Sequence, residues 1–188
     1  MKFTELSLKG VYLIEPEPLY DERGFFMRTY ADEVFQDFGL NKKWVHESQS
    51  CSKCKGIIRG LHFQFPPYAE TKLIRVIKGS IIDVFVDLRK NSATLGKWES
   101  VELSEKNKKM ILIPRGFAHG FCTTSDDVEM IYKMDNIFSP ENSGSILWND
   151  TDLAINWCIE NENPIISEKD SKAMTFTEFK EKYGGIEI

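Results

Sequence analysis

Turn-forming residues recur at short intervals along most of this chain, and that spacing limits its possible folds more than any other feature. The breaks, which are rich in Pro, Gly and Asn, fall at residues 15–18, 22–24, 66–67, 78–79, 91–92, 96, 114–116 and 139–140. The segments between them have the length of strands. Two of these segments, 81–88 and 128–134, alternate with the period of two that is typical of strands. We therefore predict a mainly β fold, a mostly antiparallel sandwich or barrel.

Helical patterns are few and short. One covers residues 31–38 and ends at Gly39. The other, near the C-terminus, repeats Phe176, Phe179 and Tyr183 at helical spacing before a Gly-Gly pair. We expect these to be minor elements beside the strands.

Length and charge narrow the class of protein. With 188 residues, the chain is long enough for one domain with a sizeable core. We expect that domain to span 1–188 and to carry a short helical appendage at about 165–188. The 24 basic and 29 acidic residues give a net charge of −5, which argues against a general nucleic-acid binder. A local basic pocket for one nucleotide is compatible with this charge.

Hydropathy and cysteine content indicate the compartment. No uninterrupted apolar run exceeds four residues, so we predict neither a membrane span nor a secretory signal. Four cysteines are too few for a disulfide scaffold in a chain of this size, so we expect a reducing cytoplasm. Cys51 and Cys54 form a lone Cys-x-x-Cys. We interpret them as incidental loop cysteines rather than a metal knuckle or redox pair, because no second pair completes a zinc site.

Two of the three histidines, His62 and His119, lie in spacings that resemble the two motifs of the cupin superfamily. The second motif is the Pro-x-Gly-x-x-His turn at 114–119. Metal-binding cupins have His-x-His in the first motif and a glutamate four or five residues later, whereas here Gln64 takes the second position and Glu70 comes one residue late. Because an open metal site normally needs at least three protein ligands, we expect no metal. A metal-dependent cupin enzyme is the alternative.

Strand parity places three polar side chains among apolar ones. His119, Tyr132 and Lys72 each share the parity of hydrophobic residues on their own strand. Burying an unpaired amide or hydroxyl costs roughly 2–7 kcal/mol, so such groups partner one another or line a ligand cavity. One of them alone would be a satisfied core residue, but the set, together with His62, indicates a site. It could take up a proton, stabilise an oxyanion and return a proton, as chemistry next to a carbonyl requires.

Longer motifs follow one another between about residues 10 and 175. They occupy residues 21–26, 58–64, 72–73, 79–89, 113–121, 132–133, 148–150 and 167–170. In content and order they resemble those of the dTDP-4-dehydrorhamnose 3,5-epimerase family. The resemblance implies a double-stranded β-helix (cupin jelly roll), a homodimer, and no metal or organic cofactor. It also implies a setting in cell-surface polysaccharide or antibiotic-sugar synthesis.

The same resemblance implies four catalytic roles. His62 would be the general base that takes a proton from carbon beside the C4 ketone of a nucleotide-linked 4-keto-6-deoxy sugar. Asp170 would orient its ring and favour the imidazolium. Tyr132 would deliver a proton from the opposite face, and Lys72 would stabilise the enolate oxygen. The implied activity is inversion at C3, C5 or both; a non-catalytic nucleotide-sugar binding protein is a further alternative.

The resemblance also implies a set of substrate-binding residues: Arg23, Phe26, Arg28, His46, Ser48, Arg59, Gln64, His119, Ser143 and Lys169. Arg59 and His62 have opposite strand parity. Both can face one cavity only if the strand bends, so we predict a bulge at Gly60.

Four of these positions depart from the family pattern. Arg28 stands where the family usually has glutamate, His46 and Ser48 where it has glutamine and asparagine, and Ser143 where it has glutamate. In the family these positions contact the nucleotide, largely at the base. Because a site built to hydrogen-bond one base rejects another strongly, we predict a nucleotide other than thymidine, with GDP and CDP both open. A paralogue that still accepts dTDP is the alternative.

Another departure concerns the sugar. Ile137 and Phe138 occupy positions where family members usually carry one or two tyrosines facing the sugar. Without that hydroxyl, the enzyme could invert C3 or C5 alone, or act on a longer sugar such as a heptose.

Overall fold

Strands dominate the fold. The structure is a computed structural model that describes residues 1–158 and 163–188. Its strands are β1 (Lys2–Glu5), β2 (Tyr12–Glu15), β3 (Leu19–Asp21), β4 (Gly24–Phe26), β5 (His46–Ser52), β6 (Ile58–Gln64), β7 (Lys72–Lys78), β8 (Ser80–Asp87), β9 (Trp98–Ser104), β10 (Met110–Ile113), β11 (Phe117–Thr123), β12 (Val128–Met134) and β13 (Ser143–Ser145). The helices are α1 (Asp32–Gln36), α2 (Glu168–Ser171) and α3 (Phe176–Tyr183), and Pro140–Asn142 forms a 3-10 turn.

The strands form two main sheets and a separate hairpin. One sheet has the order β1-β2-β10-β7-β12-β5 and the other the order β13-β6-β11-β8-β9, while β3 pairs only with β4. The pairings between these strands are antiparallel. The predicted mainly β, mostly antiparallel architecture is therefore confirmed.

A buried hydrophobic core lies between the two sheets. Ile74 and Val76 from β7 belong to the same buried cluster as Phe85 from β8 and Phe121 from β11. Phe85 is fully buried, and burying a side chain of this type contributes about 1.5–3 kcal/mol. In each alternating strand, every second side chain therefore points into the space between the two sheets.

Both outer sheet faces are covered by other parts of the chain. Phe35 of α1 packs with Leu73 and Leu112 on the six-stranded sheet. On the five-stranded sheet, Phe179 of α3 packs with Phe63 in another buried cluster. Strands that are buried on both faces read as nearly continuous apolar runs, as β10 and β11 do.

The two predicted helices form close to the expected positions. α1 is shorter than the pattern over 31–38 suggested, and the chain turns at Gly39 with a φ of +68°. α3 begins with a capping box at Thr175 and ends at Gly184 in the left-handed conformation, as its sequence signals indicate. Within the described residues, no helix is long and apolar enough to cross a membrane.

Candidate active site

A histidine–carboxylate pair links strand β6 to helix α2. His62 Nε2 lies 2.6 Å from Asp170 Oδ1. Asp170 is buried, and its other oxygen, Oδ2, accepts a hydrogen bond of 3.2 Å from the backbone N–H of Gly60. The Ser167 hydroxyl caps α2 by accepting from the Asp170 N–H at 3.1 Å. These contacts fix the carboxylate, and with it the orientation of the imidazole.

The surroundings of Asp170 keep it ionised. Burial by itself raises the pKa of this carboxyl, but the hydrogen bond and charge of His62 lower it, as do the Gly60 N–H and the Ser167 hydroxyl. The net result is a pKa below the ordinary value of 3.8. When the His62 Nε2–H donates to the ionised Asp170, Nδ1 carries the lone pair that can accept a proton.

A bulge in β6 brings Arg59 and His62 to the same cavity. Arg59 pairs with Phe121 of β11 and His62 pairs with His119, so two residues of β6 face one residue of β11 between these pairs. Gly60 has a φ of +119°, and a Cβ there would lie 2.5 Å from the Gly120 Cα. The predicted bulge is therefore confirmed, and glycine is required by both the backbone angle and the close strand approach.

A second histidine–carboxylate pair lies beside the first. His119 Nε2 is 2.8 Å from Asp83 Oδ2, and the Asp83 side chain is fully buried. The other oxygen, Asp83 Oδ1, is buried and has no hydrogen-bond partner in the part of the chain that the structure describes. Because His119 pairs directly with His62 across the β6–β11 ladder, the two imidazoles belong to one wall.

The two walls of this cavity belong to different sheets. The cavity measures about 220 Å³ and is lined by Arg59, His62, Lys72, His119, Phe121, Met130 and Tyr132. His62 and His119 come from the five-stranded sheet, whereas Lys72 and Tyr132 come from the six-stranded sheet. The histidines therefore face the lysine and the tyrosine across the space between the sheets.

A second cavity adjoins the first. It measures about 370 Å³ and shares Arg59 and His62 with the smaller cavity. Lys169 and Asp170 also line it, together with the isoleucines at 57, 58, 165 and 166. Its two cationic side chains suit an anionic group, and its apolar lining suits a flat or hydrophobic one.

Arg59 is anchored at the shared edge of the two cavities. Its Nε donates to the Ser52 hydroxyl at 3.3 Å, and its NH2 donates to the Cys51 carbonyl at 3.2 Å. The end of β5 thus orients the guanidinium. A planar guanidinium held in this way can present its remaining N–H groups to a phosphate.

Lys72 has a carboxylate partner that the sequence analysis considered only as a metal ligand. Its Nζ lies 3.5 Å from Glu70 Oε1, and both side chains are largely buried. Gln64 is buried, and its Nε2 donates to Glu70 Oε2 at 3.0 Å. Gln64 therefore supports the cavity wall from behind instead of lining either cavity.

Several of the predicted binding residues lie outside both cavities of the described chain. Arg23 and Phe26 lie on the β3–β4 hairpin, with the Arg23 side chain 85% exposed and bonded to Asp21. Arg28 and His46 are exposed. Ser48 lies opposite Tyr132 in the β5–β12 ladder, and the Ser143 hydroxyl donates to the Pro140 carbonyl.

Two functional candidates were missed by the sequence reasoning, namely Asp83 and the pairing of Glu70. Asp83 could have been found in the sequence, because a carboxylate in the middle of an otherwise apolar strand must have a partner when it is buried. For Glu70 the sequence offered a weaker indication, which is that it lies two residues before Lys72 in a turn rich in proline.

Among residues 1–158 and 163–188, no group of three or more His, Cys, Asp and Glu side chains is arranged to hold a metal ion. Cys51, Cys54 and Cys158 are exposed and form no disulfide within the described residues. Cys122 is buried, and this burial raises the pKa of its thiol to about 11. A thiol with so high a pKa is a poor nucleophile at neutral pH.

Chemically, the small cavity is equipped to move protons. An imidazole paired with a carboxylate lies on one wall, and a phenol and an ammonium lie on the other. The imidazole can act as general base, the ammonium can stabilise a developing oxyanion, and the phenol can donate a proton.

Known proteins resemble this chain over most of its length. The family model described as dTDP-4-dehydrorhamnose 3,5-epimerase matches residues 5–178. A protein of that name from Methanothermobacter thermautotrophicus is 46% identical over 170 residues, which cover 90% of this chain and 91% of the relative. The crystal structure of the enzyme of that name from Elizabethkingia anophelis superposes with a TM-score of 0.90 at 43% identity, covering 95% of this chain and 97% of the other.

A monofunctional epimerase also has this fold. The structure of ChmJ from Streptomyces bikiniensis, a 3'-monoepimerase in complex with dTDP-quinovose, superposes with a TM-score of 0.87 at 27% identity. The superposition covers 96% of this chain and 90% of that one. The double-stranded β-helix expected from the sequence is thus confirmed by structures of this type.

Proposed function

Because this chain belongs to the dTDP-4-dehydrorhamnose 3,5-epimerase family, we propose that its two adjoining cavities bind a nucleotide-linked 4-keto-6-deoxy sugar and epimerise it. The chain is an isomerase that inverts a carbon next to the C4 ketone through an enolate. One observation carries the assignment of residues: His62, which is paired with Asp170, lines one wall of the small cavity and Tyr132 lines the opposite wall.

The reaction begins with proton removal by His62. A proton next to a ketone is weakly acidic, so the base must be both positioned and electrostatically supported. Asp170 does both, because its carboxylate receives the Nε2–H and balances the charge of the imidazolium as it forms. The carbon–hydrogen electron pair moves into the enolate, and negative charge develops on the C4 oxygen.

Lys72 supports that charge, and Tyr132 completes the inversion. The Lys72 ammonium lines the same cavity as His62, so it lies where the negative charge develops and can stabilise it. Tyr132 then donates its phenolic proton to the carbon from the wall opposite His62. Delivery on the face opposite to removal turns proton exchange into inversion.

The nucleotide diphosphate extends into the larger cavity. Arg59 stands where the cavities join, and Lys169 lies further along. We assign these two cations to the diphosphate, which keeps the sugar in the small cavity beside His62.

The base of the nucleotide is a separate proposal. Relatives are named for dTDP sugars, while the substitutions at Arg28, His46, Ser48 and Ser143 predict another base. A ligand that binds only the folded state raises the melting temperature, so dTDP, UDP, CDP and GDP are compared by thermal shift. We expect GDP or CDP to give the largest shift; the largest shift with dTDP would contradict this.

We also propose a homodimer. The β3–β4 hairpin exposes Leu19, Tyr20, Phe25 and Phe26 to at least half of their full area, and it carries Arg23. Its residues line neither cavity of the same chain within the described residues. A second copy would cover this apolar surface and bring Arg23 and Phe26 to a substrate. Light scattering after size exclusion is expected to give twice the chain mass of 21.7 kDa, and a single-chain mass would contradict the proposal.

Solvent deuterium exchange tests the function directly. A panel of dTDP-, GDP- and CDP-linked 4-keto-6-deoxy sugars is incubated with enzyme in D₂O, and label at C3 and C5 is read by NMR. We expect incorporation at one or both carbons, and His62→Ala is expected to abolish it. Absence of exchange with every member of the panel would contradict the function, and normal exchange by the variant would contradict the base assignment. The panel also distinguishes inversion at both carbons from inversion at one.

A further inference from the structure

We propose that Glu70 is a positioning residue that acts through Lys72, holding the lysine ammonium at the cavity wall where the enolate charge develops. The inference rests on the proposed function, since it assigns Lys72 to the enolate oxygen. It adds a carboxylate to the site that lines neither cavity and touches no substrate itself.

The geometry places Glu70 between a support and its target. Oε2 accepts a hydrogen bond from Gln64 Nε2, and Oε1 lies 3.5 Å from Lys72 Nζ. The side chains of Glu70 and Lys72 are 12% and 16% exposed. At 3.5 Å the Glu70 carboxylate attracts the Lys72 ammonium but does not occupy all three of its N–H donors. The remaining donors are available to a substrate oxygen in the cavity.

Gln64 is itself immobilised, which gives Glu70 a rigid base. Its Nε2 has two N–H donors, which are shared between Glu70 Oε2 and the carbonyls of Tyr68 at 2.9 Å and Ile137 at 3.1 Å. Its Oε1 accepts from the Ser139 N–H at 2.7 Å. The Glu70 carboxylate is therefore held at one oxygen by a buried, fully bonded amide, and only its other oxygen is directed to Lys72.

Charge balance explains why a carboxylate is needed here. Arg59 and Lys72 line the same small cavity, and His62 becomes a third cation when it takes up the substrate proton. Asp170 balances His62 and Asp83 partners His119, so neither carboxylate is directed at Lys72. Glu70 supplies that missing counter-charge.

Geometric restraint is the other contribution. A lysine side chain has four rotatable bonds and loses considerable rotamer freedom when it is held in one conformation. An ion pair that already restricts Nζ reduces the further loss at the transition state. The benefit appears in the chemical step and leaves nucleotide binding by Arg59 and Lys169 unaffected.

A double-mutant cycle in the full-length enzyme tests the proposal. Wild type, E70Q, K72M and E70Q/K72M are compared by kcat, KM and the rate of solvent-deuterium exchange with the panel substrate that gives the fastest turnover. The E70Q side chain keeps an amide oxygen that can accept from Gln64, so this variant removes the charge and retains the supporting hydrogen bond. E15Q is the matched control, since Glu15 also pairs with a lysine, Lys2 at 3.1 Å, but far along the six-stranded sheet.

We expect E70Q to lower kcat by about 10-fold or more, with KM changed by less than about 2-fold, because an interaction made mainly in the transition state is lost. In the K72M background the same change is expected to alter kcat by less than about 2-fold, since the residue through which Glu70 acts is absent. E15Q is expected to match wild type.

Two results would overturn the inference: an E70Q enzyme with wild-type kcat, or an equal loss of kcat from E70Q in both backgrounds, which is the signature of a purely structural role. If E70Q does not fold, the same cycle is run with E70D, which withdraws the carboxylate from Lys72. Failure of the proposed function is distinguishable, because wild type itself would then show no exchange.

Discussion

His62 and Asp170 are 108 positions apart in the chain, yet their side chains approach to 2.6 Å. They meet because α2 packs on β6 and the bulge at Gly60 offers its N–H to the same carboxylate. At the residue scale the function thus depends on one ionised group in a buried place. A neutral amide there could accept a hydrogen bond but could not balance an imidazolium.

Asp170→Asn is expected to lower the exchange rate by about 10²-fold or more, the usual contribution of a supported general base. Solvent-deuterium incorporation by NMR measures the loss. Asp152→Asn, on the exposed turn that leads towards the C-terminal segment, serves as the control and is expected to exchange like wild type. Similar rates in the two variants would show that the carboxylate does not support His62.

Tyr132→Phe is expected to uncouple exchange from inversion. The variant keeps His62, Asp170 and Lys72, so a proton can still leave and return on one wall of the cavity. It lacks the phenolic donor on the other wall, so the product should retain its original configuration at one or more carbons. Measuring deuterium content and product stereochemistry in the same NMR sample checks this, and normal inversion would rule out Tyr132 as the donor.

Strand parity predicted the inward orientation of three polar side chains. His119, Tyr132 and Lys72 share parity with apolar neighbours, and all three line the cavity. Parity could not predict partners, because a pair such as His119 and Asp83 is set by strand registration between β8 and β11. The local pattern therefore predicts which way a side chain points, whereas the packing of distant strands determines which side chains become partners.

At the scale of elements, β6 is the strand whose irregularity matters most. Its bulge turns Arg59 and His62 to the same cavity while the flanking residues keep pairing with β11. The opposite parities of Arg59 and His62 made the bulge predictable from the sequence. The hairpin β3–β4 was harder to interpret, because the resemblance assigned Arg23 and Phe26 to a substrate that this chain's own cavities do not bring near them.

Gly60→Ala is expected to cost about 2–4 kcal/mol of unfolding free energy, from backbone strain together with displacement of neighbouring backbone. Gly24→Ala is the matched control, because Gly24 has a similar φ of +124° but nothing within 4 Å of an added Cβ. It should cost only the strain, about 1–2 kcal/mol. Urea denaturation measures both, and equal losses would show that the close approach of β6 and β11 contributes nothing.

For the molecule as a whole, two buried carboxylates make stability depend on pH. Burial raises the pKa of Asp87, but hydrogen bonds from Arg89, Ser92 and Thr94 outweigh it, so its pKa is lowered. The pKa of Asp170 is lowered in the same way. A group whose pKa is lower in the folded state binds fewer protons there than in the unfolded state. Its stabilisation is therefore fully present above its unfolded pKa and is lost as the pH falls through the lower folded value.

We expect the free energy of unfolding to be constant near neutral pH and to decrease as the pH falls below about 4. Urea midpoints at pH 7 and pH 3 measure the difference. Asp87→Asn removes one of the two groups, so this variant should be less stable at pH 7 and show a smaller decrease on acidification. A decrease as large as that of wild type would mean that Asp87 does not contribute.

Proton removal and proton return belong to different sheets, His62 to one and Tyr132 to the other. Substitutions at or around Tyr132 can therefore change the configuration of the product while His62 and Asp170, which remove the proton, are left intact. Gene duplication followed by such substitutions offers a short evolutionary route from a two-centre enzyme to a single-centre one. A lineage could in this way produce different sugars while keeping the same residues for proton removal.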